Sequence, residues 1–140
     1  MRPDIDFRRN RWQILTIFRA IEMDTKQAIL AFSQSEKIKA GIIWISQSLE
    51  LLARLPEKNR KSAERLAHVF LNLMLRDVHI AGRVTGESAW HEVEKNIDLA
   101  LVMLDSSVAQ ESTYHLTRAL SSVTDIGQRS MSFLKDKGLL

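Results

Sequence analysis

Apolar residues recur along this chain at alternating steps of three and four, the spacing that lines side chains up on one side of an α-helix. The rows fall into five groups. Over about residues 5–32 the row is Ile14, Phe18, Ile21, Thr25, Ala28 and Phe32, widened by Leu15 and Ile29. Over 36–55 it is Ile38, Ile42, Ile45, Leu49 and Leu52, flanked by Ile43, Trp44, Leu51 and Leu55, the most apolar stretch of the chain. Over 62–82 two rows lie side by side: Ala67, Leu71, Met74, Val78 and Ala81, then Leu66, Phe70 and Leu73. Two adjacent rows make a broad apolar face, so this helix is expected to touch more than one neighbour. Over 88–104 the row is Trp90, Val93, Ile97, Ala100 and Leu104; over 108–137 it is Leu116, Leu120, Val123, Ile126, Ser130 and Leu134, with a Ser/Thr-rich polar side.

Punctuation between the rows supports this division. Asp4 or Asp6 can cap the first helix. Ser33-Gln34-Ser35-Glu36 reads as a break, with Ser33 and Glu36 spaced as a capping box for the second. Gly41 costs that helix about 1 kcal/mol relative to Ala, which a close helix crossing would offset. Pro56 ends it, because the residue before a proline avoids the α region. Ser62 is the expected cap of the third helix and Gly82 its end, with Gly82-Arg83-Val84-Thr85-Gly86 as the turn. Glu87 or Ser88 opens the fourth. The period lapses over Asp105–Thr113, where a fifth helix restarts with Ser107 and Gln110 at capping-box spacing.

Amphipathic helices joined by short links bury their stripes by packing on one another. The fold class predicted is all-α: an antiparallel four-helix bundle with an additional C-terminal helix, which either joins the bundle or covers a groove on it. At 140 residues one domain is expected. Only five Gly and two Pro are present, too few for the turns of a strand-rich fold.

Cysteine is absent, which excludes disulfides, thiolate nucleophiles and thiolate zinc sites and fits a reducing, cytoplasmic setting. Met1–Asp6 has no apolar core of a signal peptide, and no run is long enough to span a membrane. The net charge of +3 is unevenly spread. Residues 1–61 carry 12 Lys/Arg against 7 Asp/Glu, and residues 62–105 carry 4 against 7. Two basic clusters stand out, Arg8-Arg9-Asn10-Arg11 and Lys58-Asn59-Arg60-Lys61.

Catalytic and cofactor signatures are missing. Single glycines form no phosphate loop, and no Glu-x-x-His occurs, so neither nucleotide nor di-iron chemistry is indicated. Glu64/His68, Glu87/His91 and Glu111/His115 each stand four apart, a spacing that suits local pairing on one helix face better than metal binding. Trp44 and Trp90 lie on or beside apolar rows and are expected in the core. Trp12, among Arg8, Arg9, Arg11 and Arg19, is the aromatic placed for a nucleic-acid or peptide contact. No enzyme, cofactor or metal is therefore expected.

From Gln13 to Leu104 the chain resembles the flagellin export chaperone family, the FliS-like secretion chaperones. The resemblance rests on Ile14-Leu15-Thr16-Ile17-Phe18-Arg19, on the helix from Ile38 to Leu55, on Phe70, Leu73, Met74 and Val78 followed by Ala81, and on Trp90-His91-Glu92-Val93-Glu94. The start is Arg-rich where the family has a tyrosine-bearing stretch, and residues 105–140 exceed its usual final helix. The resemblance implies binding without catalysis: holding a disordered, amphipathic flagellin-like segment in a groove between helices. Ile42, Ile45, Leu49, Phe70, Leu73 and Met74 are the expected groove residues. An alternative is a nucleic-acid-binding bundle that merges Arg8, Arg9, Arg11, Arg54, Lys58, Arg60 and Lys61 into one patch. Another is a self-associating subunit, with the last helix exchanged between copies of a homo-oligomer.

Overall fold

The structure, a computed structural model, describes residues 23–140. The caps at Asp4 and Asp6, the apolar positions before Met23, Trp12, and the arginines Arg8, Arg9 and Arg11 lie outside the described residues. Four helices and no strand occur among the described residues: α1 (Thr25–Leu52), α2 (Glu57–Thr85), α3 (Trp90–Asp105) and α4 (Ala109–Asp136). Each packs on two others in a closed ring, α1 on α2, α2 on α3, α3 on α4 and α4 on α1. Ile38, Leu71, Ile97 and Leu116, one from each helix, are fully buried in the shared core. Each such side chain contributes about 1.5–3 kcal/mol through loss of water contact.

The expected break at Ser33–Glu36 does not exist; α1 runs straight through it. Ser35 is buried, its hydroxyl donating to the Phe32 carbonyl oxygen at 2.8 Å. It sits beneath α4, where a Cβ added to Gly127 would lie 2.8 Å from Ser35 Oγ. The serine marks a close crossing, and a hydroxyl bonded back to its own helix leaves that helix intact. Helix α1 instead begins with a capping box at Asp24. The Gln27 N–H donates to Asp24 Oδ1 at 2.7 Å, and the Asp24 N–H donates to Gln27 Oε1 at 3.1 Å. The other end of the Gln27 amide donates to the Thr85 carbonyl oxygen at 3.0 Å, tying the start of α1 to the end of α2.

Three further boundaries differ from expectation. Pro56, not Ser62, is the N-cap of α2, as a proline that lacks the orphan N–H allows. Helix α2 continues past Gly82 and ends at Gly86, whose φ of +66° makes the left-handed cap that glycine adopts without strain. Helix α4 does restart after a break, but its N-cap is Val108 with no side-chain bond, and Ser107 occupies the left-handed turn position.

The longest helices meet through small residues. A Cβ on Gly41 would collide with Met74 Cε, so the α1–α2 approach expected at Gly41 is present. Along these two helices the contacts run in opposite chain order: Gln27 meets Thr85, Lys37 meets Asp77 and Gly41 faces Met74. Helix α4 is an integral side of the ring. Its Leu116, Ala119, Val123 and Ile126 are fully buried against α1 and α3, and the buried Ser112 hydroxyl donates to the Ala100 carbonyl oxygen.

Candidate interaction surface

Helix α2 carries apolar residues on two sides. Ala67, Leu71, Met74, Val78 and Ala81 form its buried row. Leu66, Val69, Phe70, Leu73, Ile80 and Val84 are all exposed, between 42% and 58%. These positions keep the three-and-four period, so they make a second stripe, running about 27 Å from Leu66 to Val84 at 1.5 Å per residue. The stripe is set roughly a quarter turn around the helix from the buried row, beside the ring's interior and on the side of α2 where Asp77 meets Lys37 of α1.

Helix α1 extends the surface. Lys37 and Gly41 face α2, and Trp44 lies seven and three residues beyond them, hence on the same side. Leu51 follows Trp44 by seven. Trp44 is 69% exposed and Leu51 63%, so Trp44 is not the core residue its row suggested. Trp90, by contrast, is buried as expected. One ion pair crosses this seam, Lys37 Nζ to Asp77 Oδ2 at 3.2 Å. The outer side of α1 and α2 is thus an apolar face, with the exposed Arg65, Arg76 and Arg83 interleaved among the apolar positions of α2. Contiguous apolar surface of this extent on a folded domain marks an interaction site.

The six expected groove residues are split by this arrangement. Ile42, Ile45, Leu49 and Met74 are buried core, with exposures of 0%, 8%, 1% and 7%. Phe70 and Leu73 are on the outer stripe. Sequence reasoning placed the two sets in one groove because both obey the helical period; Ile42, Ile45 and Leu49 spend their apolar surface on the ring's interior. It missed Leu66, Val69, Ile80, Val84, Trp44 and Leu51 as surface residues. The signal was present in α2, whose apolar positions are too many for one face.

Of the basic set, the described members Arg54, Lys58, Arg60 and Lys61 are all exposed around the α1–α2 turn. One Arg60 guanidinium nitrogen donates to the Leu55 carbonyl oxygen at 3.2 Å. Carboxylates are interleaved with these residues at Glu50, Glu57 and Glu64. A depression of about 530 Å³ beside Lys61 is bounded by Glu64, Arg65, His68 and Asp105, charges of both signs.

The histidines do not pair with the glutamates four residues before them. His68 Nε2 is 3.2 Å from Asp105 Oδ1, and His79 Nε2 is 2.9 Å from Glu94 Oε1, both across the α2–α3 seam. His91 Nδ1 lies 3.8 Å from the other oxygen of Glu94. Nδ1 of His115 has no hydrogen-bond partner. No cluster of three or more metal-ligating side chains occurs among the described residues. Glu87, at the α2–α3 turn, has both carboxylate oxygens buried without a hydrogen-bond partner. Burial pushes its carboxyl pKa up, and the charge of Arg129 on α4 opposes the shift. No helix among the described residues is long and apolar enough to cross a membrane.

Comparison with known proteins gives no match: no family model, no characterised protein and no solved structure is significantly similar to this chain.

Proposed function

We propose that this chain is a non-enzymatic binding protein of the flagellin export chaperone type, acting in the cytoplasm. On this proposal an apolar helical client segment lies along the outer side of α1 and α2. The observation that carries the proposal is the second apolar stripe of α2, Leu66 to Val84, with Trp44 and Leu51 beside it. A client helix with apolar residues at three-and-four spacing would match it, the mode by which amphipathic helices dock on apolar surfaces. The bundle is taken as antiparallel, supported by the opposite chain order of the α1–α2 contacts. The basic residues around the α1–α2 turn weigh less, because Glu50, Glu57 and Glu64 stand among them and cancel much of their field.

The test is calorimetric titration of the full chain with the C-terminal segment of the host's flagellin. Saturable heat is expected, and Phe70→Glu should weaken binding by roughly tenfold or more, since an apolar contact is replaced by an unpaired charge. Absence of heat removes this client. Affinity that falls steeply with salt and ignores Phe70→Glu moves the site to the basic turn.

A further inference from the structure

We propose that the helix taken up along α2 is acidic as well as apolar: beside its apolar row it carries carboxylates spaced seven and eleven residues apart. This rests on the reading of the α1–α2 outer side as a docking face and adds the charge of what docks there.

The charge on the face selects this partner. Arg65, Arg76 and Arg83 are exposed, and none of them makes an ion pair among the described residues. Each stands three or four residues from a member of the apolar stripe: Arg65 from Val69, Arg76 from Leu73 and Ile80, and Arg83 from Ile80. Residues at that spacing are side-by-side neighbours on a helix, so the arginines edge the stripe. Asp77, the one carboxylate of α2 between Leu66 and Val84, is taken by Lys37. Across the α2–α3 seam, Asp105 and Glu94 are held by His68 and His79. Three guanidinium groups are left without a carboxylate partner. A basic segment would be repelled there and a neutral one would leave the charges unused. A carboxylate accepts two parallel N–H bonds from a guanidinium, while the arginine stem still covers apolar surface.

Spacing sets the pattern of the partner. At 1.5 Å per residue, Arg65 and Arg76 are about 16 Å apart along α2 and Arg76 and Arg83 about 10 Å apart. Eleven residues are close to three helical turns and seven close to two. On a helix lying alongside α2, carboxylates at the same separations therefore fall on one side, next to the apolar row. An anionic lipid surface fits less well, because α1, the other half of the face, exposes Glu36 and Glu50, which such a surface repels.

The test titrates the full chain against fluorescently labelled helical peptides of about 22 residues, enough for five turns and both ends, with anisotropy as the readout. The peptides share one leucine row and differ at three positions beside it, seven and eleven apart, which are all Glu, all Gln or all Lys. The Glu peptide should bind best. The Gln peptide should bind roughly tenfold more weakly at low salt and the Lys peptide more weakly again, with the spread closing as salt is raised. In the triple variant Arg65→Glu, Arg76→Glu, Arg83→Glu the order should reverse, a result that loss of fold cannot produce. Phe70→Gln should weaken the Glu peptide by roughly tenfold, as for loss of an apolar anchor. Equal binding of the Glu and Gln peptides, both sensitive to Phe70→Gln, overturns the acidic partner and keeps the docking face. Binding of no peptide, or binding indifferent to Phe70→Gln, sinks the docking face and the acidic partner together. Two other occupants are read in parallel: pelleting with phosphatidylglycerol vesicles, and self-association in sedimentation. Either one, if abolished by Phe70→Gln and not displaced by the Glu peptide, gives the face to a lipid surface or to a second copy and overturns the proposal.

Discussion

Helices α2 and α4 are nearly the same length, 29 and 28 residues, and both bury one row in the core. Their other sides differ. Helix α4 shows water Gln110, Thr117, Arg118, Ser121, Asp125, Gln128 and Arg129, whereas α2 shows Leu66, Val69, Phe70, Leu73, Ile80 and Val84. For α4 the core uses nearly all the apolar surface the helix has, Tyr114 being its one large apolar residue left exposed. For α2 it uses about half, and the remainder contributes nothing to the fold of one chain. A ring that closes without this surplus explains why it is available for association.

The sharpest way to break the comparison is to truncate both helices equally. Ile126→Ala on α4 should cost about 2–5 kcal/mol, the range for emptying a closed core site, as a large drop in urea midpoint. Phe70→Gln on α2 should stay within about 0.5 kcal/mol of the wild type. A loss of core size at Phe70 would mean that the outer stripe is part of the fold.

Between these extremes lie the two glycine crossings. Gly127→Ala should destabilise by about 1 kcal/mol net, overpacking against the buried Ser35 outweighing the gain in helix propensity. At Gly41 the obstructing atom is the terminal methyl of Met74, which can swing aside. Gly41→Ala should therefore leave thermal stability nearly unchanged, and a loss matching that of Gly127→Ala would show the α1–α2 seam to be as rigid as the α1–α4 seam.

The smallest effect concerns Glu87. Its carboxyl pKa is raised in the folded state, mainly by burial. The folded chain thus holds the proton more tightly than the unfolded one, and stability from this group is full below the unfolded carboxyl range and lost as pH rises through the folded value. Glu87→Gln should raise the melting temperature slightly at pH 7 and bring no gain at acid pH. A gain of equal size at both would exclude ionisation as its cause.

Much of the fold was legible in the sequence. The all-helical class, the buried rows of α2, α3 and α4, the restart before α4 and the close approach at Gly41 all follow from spacing. The errors share one physical origin: residues that terminate helices also let helices pack closely. Ser35 looked like a break and is the floor of the α4 crossing; Gly82 looked like a helix end and lies inside α2, one turn before Gly86. Of the proposed groove, Phe70 and Leu73 were legible as a second row. Ile42, Ile45, Leu49 and Met74 were misplaced because periodicity gives a side chain's direction around its own helix, whereas burial depends on which neighbours the ring sets there. Trp44 fell the other way for the same reason.

The closed ring also governs the order in which the molecule can be made. Ser35 and Gly127 touch across 92 positions of chain, and the α1–α4 seam they belong to is the most extensive of the four. Contacts so distant in sequence are entropically late, and they set the pace of folding. While α4 is still being synthesised, the inner row of α1 has only α2 against it, and Ala28, Ala31 and Ser35 stand open to solvent. During that interval the growing chain exposes apolar surface on both sides of the α1–α2 pair, the kind of transient exposure that favours aggregation.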